Sequence, residues 1–353
     1  MLGFELNPVT RKRLRRFQEI RRGYYSLIAL VVLIGFSLFA ELFISNRALI
    51  VKYDGKLHFP TYGRFQPGTK FGLDYEYETN YRKLQKKFRE DENSKNWVLM
   101  PFVPYGPEEE NYKDNDTYPP YPPSRETKHY LGTDQIARDV LAQLVYGFRI
   151  AIMFSLMLMV ATYLLSVIIG CAMGYFGGLF DLIGQRIVEI WSVIPFLYVV
   201  IIIAAIIQPG FWTLLIIMAA FSWMGMTYYM RTGTYKEKER DYTAAARVLG
   251  AGTPRIIFRH ILPNTLSTLV TFIPFTVAAG ITSLTALDFL GFGLPSGTPS
   301  WGDLLKSGNE NIRLAPWIIL STVSSMVFVL TLVTFVGEAI REAFDPKKFT
   351  TYR

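Results

Sequence analysis

The 353-residue chain has a single cysteine, Cys171, which excludes an internal disulfide and a cysteine-based zinc site. Its three histidines, His58, His129 and His260, stand too far apart in sequence to suggest a metal site. No Gly-x-x-x-x-Gly-Lys-Ser/Thr sequence occurs, so nucleotide hydrolysis is not expected of this chain itself. Charge is missing from whole stretches. Residues 150–180, 190–230, 261–287 and 314–337 carry no Asp, Glu, Lys or Arg, although 19% of the chain is charged. A soluble fold spreads its charges, whereas a bilayer-spanning helix needs roughly 20 consecutive apolar residues. The uncharged stretches have that length, and the polar block 45–147 alone keeps the mean hydropathy modest. The pattern is that of an all-α membrane protein.

Six transmembrane helices are expected, at about 24–44, 150–176, 187–208, 211–230, 266–290 and 315–337. The first follows Arg11, Lys12, Arg13, Arg15, Arg16, Arg21 and Arg22, is longer than a signal-peptide core and has no small-residue cleavage site after it. It reads as a retained signal anchor. With the N-terminus inside, segments 1–23, 177–186, 231–265 and 338–353 hold seven, one, seven and four Lys or Arg, and the short outer loops hold only Lys306 and Arg313. This asymmetry puts both termini in the cytoplasm of a multi-pass membrane protein. The outer block 45–147 carries fifteen basic and fifteen acidic residues. The net charge of +8 therefore sits on the cytoplasmic side, where topology and anionic membrane lipid account for it; nucleic acid is not needed as a partner.

The chain divides into 1–44 (basic N-terminus and first span), the outer insertion 45–147, the core 148–345 with five spans and the cytoplasmic loop 231–265, and a tail, 346–353. The insertion is rich in Tyr and Pro, as in Tyr118-Pro119-Pro120-Tyr121-Pro122-Pro123; proline at this density prevents long helices, while tyrosines supply packing area. Tyr81, Leu84 and Phe88, spaced by three and four, predict one short amphipathic helix over 80–92. Gln208-Pro209-Gly210 predicts a tight hairpin between spans three and four, and Pro195 and Pro274 fall within spans, where a bend is tolerated beside a cavity.

The loop 231–265 contains Asp241-Tyr242-Thr243-Ala244-Ala245-Ala246-Arg247-Val248-Leu249-Gly250-Ala251-Gly252-Thr253-Pro254, then Arg255-Ile256-Ile257-Phe258-Arg259-His260-Ile261-Leu262-Pro263-Asn264. It reads as helix, turn, helix: alanines favour the first helix, and Gly250 with Gly252 can take the positive φ that ends it. Thr253 is the expected N-cap with Pro254 at the first helical position, and Pro263 is expected to end the second helix. The second helix is apolar but too short to span. Such a helix lies in the interface or docks on a partner, and the residues alone leave both open.

This segment resembles the coupling loop of permease subunits in binding-protein-dependent ABC importers, whose pattern is Glu-Ala-Ala, three residues, Gly, then nine residues to a His-x-Leu-Pro ending. Ala245, Ala246, Gly250, His260, Leu262 and Pro263 match it, and Ala244 replaces the leading Glu. The resemblance extends through Leu131-Gly132-Thr133-Asp134, Arg138-Asp139-Val140-Leu141, Phe289-Leu290-Gly291-Phe292-Gly293, Thr298-Pro299-Ser300-Trp301-Gly302 and Gly337 to Asp345-Pro346, which are similar to the oligopeptide and dipeptide branch; Ala137 stands where that branch usually has glycine. The long insertion resembles that of Yej-type permeases, linked to uptake of peptides and of peptide–nucleotide compounds such as microcin C.

The resemblance implies a type I ABC importer permease architecture, with Ala245, Ala246, Gly250, Arg255, Phe258, His260, Leu262 and Pro263 meeting the ATPase. The implied partners are a second permease subunit, cytoplasmic ATP-binding subunits and a periplasmic peptide-binding protein. No cofactor belongs to this chain, because ATP is bound by a partner, and the chain is expected to be no enzyme. Asp288, near the outer end of span five, is expected to attract a peptide's ammonium group on its way in, or else to reach interfacial water or cap the Gly291 turn; the Glu usual four positions earlier is Leu284. Trp301 and Asp303 begin a short outer helix that gates the path or lies in the headgroup layer. His260 is expected to pack at the coupling helix, and Glu41 and Glu189 to be interfacial. Another cargo, such as dipeptide or nickel, fits the same motifs. An ion-coupled carrier would place acidic residues or histidine mid-span, often in inverted repeats, and an intramembrane protease would need a Gly-x-Ser with His or an in-span His-Glu-x-x-His. Neither pattern occurs.

Overall fold

A computed structural model describes residues 8–344 apart from 92–94, 114–116 and 208. Gln208 of the expected hairpin, Asp345-Pro346 and the tail 346–353 lie outside the described residues. The chain opens with α1 (Pro8–Glu19) and α2 (Arg21–Leu38). The expected first span, 24–44, stops early at Leu38, and Arg149 Nε donates to the Ser37 carbonyl of its last turn at 2.5 Å. Residues Ala40–Leu42 form a tight 3-10 turn instead.

The insertion holds β1 (Ile50–Tyr53), β2 (Lys56–His58), α3 (Tyr81–Glu90) and β3 (Trp97–Leu99), with the strands antiparallel in the order β2-β1-β3. Asp54 and Gly55, both at positive φ, make the two-residue turn whose twist suits a hairpin. Asn80 caps α3 by accepting from Lys83 N at 3.1 Å. The predicted face of α3 buries Tyr81 and Leu84 against Val51, Phe71 and Val98, with Phe88 packed alongside. Burial pushes the Tyr81 phenol up to about 12. The fold is mostly helical, and this small sheet is an addition to the all-α expectation.

Next comes α4 (Val140–Phe176), capped by Asp139, which accepts from Ala142 N at 2.8 Å. It begins ten residues before the expected 150, so the border expected at 147–148 falls inside a helix. A charge, Arg149, suggested an end to the span, but its guanidinium is paired with Glu41 at 2.6 and 3.0 Å. Burial raises the Glu41 pKa, yet the Arg149 hydrogen bond, a backbone hydrogen bond and the Arg149 charge together outweigh it, and the carboxyl lies below its ordinary value.

Spans three and four are bent pairs: α5 (Gly178–Val193) with α6 (Phe196–Ile206) at 66°, and α7 (Phe211–Ser222) with α8 (Met224–Lys238) at 45°. The first break is at Pro195, and at the second the Ala220 carbonyl accepts from the indoles of Trp191 and Trp223, both at 2.9 Å. Then follow α9 (Asp241–Val248), α10 (Thr253–Ile256), a π-turn at Ile257–Ile261, α11 (Leu262–Phe289), α12 (Trp301–Glu310) and α13 (Pro316–Phe344). Among the described residues four helices are long and apolar enough to cross a membrane, or up to six spans when each bent pair counts as one.

At the centre α4 packs on α8 through Gly170 and Gly174, where an added Cβ would come within 2.7 Å of the Thr227 carbonyl and 2.6 Å of the Arg231 carbonyl. Small residues one turn apart let two helix backbones approach closely in lipid, where hydrophobic exclusion does not drive association. One apolar core joins α2, α4, α11, α12 and α13 through Phe148, Ile281, Ile318 and Val333. A second joins α4, α6, α7 and α11 through Phe154, Val200 and Leu214. A third, at the pole away from the insertion, packs Cys171, Met230, Ile257 and Leu269.

Candidate functional sites at the two poles

At the pole away from the insertion, α9 ends in a two-bond C-cap: Ala251 N donates to the Ala246 carbonyl and Gly250 N to the Arg247 carbonyl, both at 3.0 Å. Gly250 supplies the left-handed residue at φ +81. Gly252 does not share this role: it is extended at φ −68 and is itself the N-cap, so Thr253 is the first helical residue rather than the cap. Pro263 does not end the second helix either. The helix continues from Thr253 to Phe289 through the π-turn, which brings Pro263 to the start of α11, where its missing N–H is not needed.

The side chains sort by face. Ile256, Ile257 and Ile261 are buried, Ile257 beside Cys171, Met226 and Met230. Of the residues singled out in the sequence, Ala245, Gly250, Arg255, Phe258 and Pro263 are exposed, Ala246 is buried, and His260 and Leu262 are half-buried. His260 contributes its carbonyl to Asn264 Nδ2 at 2.7 Å. Two residues not singled out stand out most: Val248 and Leu249, at the tip, are 88% and 86% exposed. Their signal was available as two apolar residues directly before the helix-ending glycine on a water-facing loop.

At the opposite pole α11 turns through Gly291, at φ +81, into α12. Asp288 is buried. Its Oδ1 accepts from Leu294 N at 2.7 Å and its Oδ2 from Ser300 Oγ at 2.5 Å. Ser300 Oγ in turn accepts from Gly302 N at 3.0 Å and Asp303 N at 3.3 Å, so it caps α12 while donating to Asp288. Trp301 is buried, stacks on Phe148 and donates from Nε1 to the Leu144 carbonyl of α4 at 2.9 Å. Asp303 is half-buried, and burial raises its carboxyl pKa, opposed by the charges of Arg138 and Lys306. Asp288, Trp301 and Asp303 are thus brought to one corner. Ser300, which the sequence reading passed over, is the residue that links them.

Leading into α4, Asp134 accepts from the backbone of Ile136 and Arg138, from Arg138 Nε at 2.8 Å and from Gln143 Nε2 at 2.9 Å. Asp139 is also paired with His129 at 2.8 Å. Between these two carboxylates Ala137 is fully buried at φ +62, which is why glycine suits this position. Ala137→Gly is expected to stabilise the protein by about 1 kcal/mol, since the left-handed region costs an alanine roughly that much. Thermal unfolding in detergent measures it, and a lower melting temperature would contradict it.

The family model for the inner membrane component of binding-protein-dependent transport systems matches residues 166–350. A model for the Ctr copper transporter family matches residues 20–178, less than half of the chain, and among the described residues no group of His, Cys, Asp or Glu could hold a metal ion. The chain is 41% identical over 97% of its length to the inner membrane ABC transporter permease protein YejE of Escherichia coli, 98% of which is covered. It is 39% identical, again over 97%, to the peptidoglycan transport system permease protein YejE of Agrobacterium fabrum, covering 94% of that protein. The oligopeptide transport system permease protein OppC of Lactococcus lactis subsp. cremoris is 36% identical over 68% of this chain and 83% of its own. The two relatives that span nearly the whole chain include the insertion and both poles. The chain therefore belongs to the inner membrane permease components of binding-protein-dependent ABC transport systems.

Proposed function

We propose that this chain is one half of the membrane channel of an ATP-driven peptide importer, pairing with a second permease and served by cytoplasmic ATP-binding subunits and a periplasmic peptide-binding protein. The observation that carries the reading is the exposed apolar tip Val248-Leu249 on a rigidly capped turn, among Arg247, Arg255 and Arg259. An apolar pair held out on a basic surface needs a protein partner to cover it. The basic excess of 231–265 supports a cytoplasmic position for this pole, with both termini on the same side. The chain itself performs no chemistry, and the ATPase closes on the loop to drive alternating access. Oligopeptides are the favoured cargo. The Agrobacterium fabrum relative's name supports including peptidoglycan material, and dipeptides, nickel and peptide–nucleotide compounds complete the panel.

The test is co-purification of the tagged chain from mild detergent, with the bound subunits identified by mass spectrometry. Each exposed apolar side chain is worth about 1.5–3 kcal/mol when buried. Val248→Asp with Leu249→Asp is therefore expected to release the ATP-binding subunit at least tenfold more readily, while the second permease stays bound. Uptake should fall in parallel. A wild-type chain that purifies alone and transports in vesicles without ATP would sink the reading and favour an ion-coupled carrier.

A further inference from the structure

The turn after β2 displays three aromatic side chains: Phe59 is 61% exposed, Tyr62 65% and Phe65 56%. They stay outside although the apolar core of Val51, Phe71 and Tyr81 lies in the same subdomain. Nor is the turn loose. Gly63 N donates to the Pro60 carbonyl at 3.1 Å, and Thr61 Oγ1 donates to the Ala48 carbonyl at 2.8 Å. Arg47 Nη1 reaches the Gly63 carbonyl at 3.5 Å, and its guanidinium is fixed by Glu78 at 2.8 Å. A turn held at this many points presents its rings in a defined direction.

Its height along the molecule is also defined. Residues 44–48, to which the turn is strapped, follow the 3-10 turn Ala40–Leu42 beyond the end of α2, and Tyr146 of α4 donates to the Ile44 carbonyl at 2.9 Å. Tyr146 stands one turn of α4 before Arg149, so the strap lies near the level of the Arg149–Glu41 pair. Arg149 and Glu41 mark the level at which the lipid-facing surface ends. On one side of it Met153, Leu156, Val160 and Leu164 of α4 are exposed apolar side chains. At the same level Phe36, Phe39 and Phe43 are exposed, with the rings of Phe36 and Phe43 4.9 Å apart. The turn therefore continues a surface that membrane insertion already gives to lipid.

We infer that Phe59–Phe65 is an interfacial anchor: the turn lies in the phospholipid headgroup layer, with Phe59, Tyr62 and Phe65 at the acyl boundary and Arg64 toward the phosphates. Aromatic rings favour this layer because one end is apolar and the other meets water, and an arginine reaches phosphate from the same depth. The insertion is thereby fixed to the membrane at a second point besides its covalent ends. The inference rests on the membrane location and stands whichever cargo is carried.

The experiment places a nitroxide at Phe59→Cys or Phe65→Cys in the assembled importer, in nanodiscs of phosphatidylethanolamine and phosphatidylglycerol. Cys171 is buried, so the parent chain supplies the labelling background. Collision with dissolved oxygen is compared with collision with a water-soluble nickel chelate, using Phe39→Cys as a reference for lipid and Tyr118→Cys, 91% exposed, as a reference for water. The oxygen-to-nickel ratio at 59 and 65 is expected to exceed that at 118 several-fold and to approach that at 39. A ratio equal to that at 118 overturns the inference. So does shielding from both reagents that is lifted when the binding protein is left out, since the turn is then a protein-docking surface. Phe65→Trp, read by quenching with lipids brominated near the headgroup against aqueous iodide, gives the same discrimination without a label.

Discussion

Replacing Arg231 by methionine is expected to lower the stability of the membrane domain by about 3–5 kcal/mol, the usual cost of stranding one buried charge. Arg231 of α8 holds Asp181 of α5 through two hydrogen bonds, Nε to Oδ1 at 2.5 Å and Nη2 to Oδ2 at 2.6 Å. Tyr235 and Gln185 also donate to Oδ2, at 2.7 and 2.9 Å. Few other ties hold α5. Asp181 and Val188 are its buried residues, while Leu179, Ile183, Ile190 and Val193 are exposed. Without the guanidinium, two neutral donors face a carboxylate that is almost wholly enclosed. A drop in the detergent melting temperature, with faster hydrogen exchange confined to α5, is the expected signature. Arg231→Met with Asp181→Leu should recover much of the loss, because a buried pair replaced as a unit by apolar residues is close to neutral. A double variant no better than the single would show that Arg231 acts otherwise than through Asp181.

The second large effect is expected from Asp288→Asn, a change of one atom. Ser300 Oγ gives its only proton to Asp288 and uses its two lone pairs for Gly302 N and Asp303 N. An asparagine can still accept from Leu294 N, but its amide group then points at an oxygen with no acceptor capacity left. Turning the amide over moves the same conflict to Leu294. One buried donor is left unpaired either way, at a cost of about 1–3 kcal/mol, and α12 loses its tie to α11. Uptake is accordingly expected to fall for anionic, neutral and cationic peptides alike. If Asp288 instead attracts ammonium groups on the transport path, cationic peptides alone slow down. Rates for three peptides differing only in charge decide between the two.

Much of this was open to reading in the chain itself, and the failures share a cause. The uncharged stretches located every span, and the spacing of Tyr81, Leu84 and Phe88 located α3, because burial against lipid or a core is what removes charge or sets period. Span ends were less legible. Arg149 and Arg231 looked like boundaries, yet each lies within a helix because a carboxylate far away in sequence, Glu41 or Asp181, neutralises it. The same distance hid Ser300, whose importance comes from Asp288 twelve positions earlier. In the coupling segment the turn at Gly250 was legible from composition. Pro263 misled because a proline that breaks a helix and one that sits at a helix start look identical until the preceding π-turn is known. The sheet of the insertion had only one local signal, Asp54-Gly55, set between short strands.

The helical run from Thr253 through the π-turn to Phe289, with Pro274 inside it, has a mechanical meaning. Near its far end Gly280 touches α4 so closely that a Cβ would sit 2.9 Å from Ser155 Oγ, which makes this contact the natural fulcrum. At 1.5 Å per residue the arm from Thr253 to Gly280 is about 40 Å and the arm from Gly280 to Asp288 about 12 Å. Such a lever reduces travel and multiplies force. With the run turning as one piece, a swing at Thr253 would become a displacement about a third as large at Asp288, which is also where α12 is fastened.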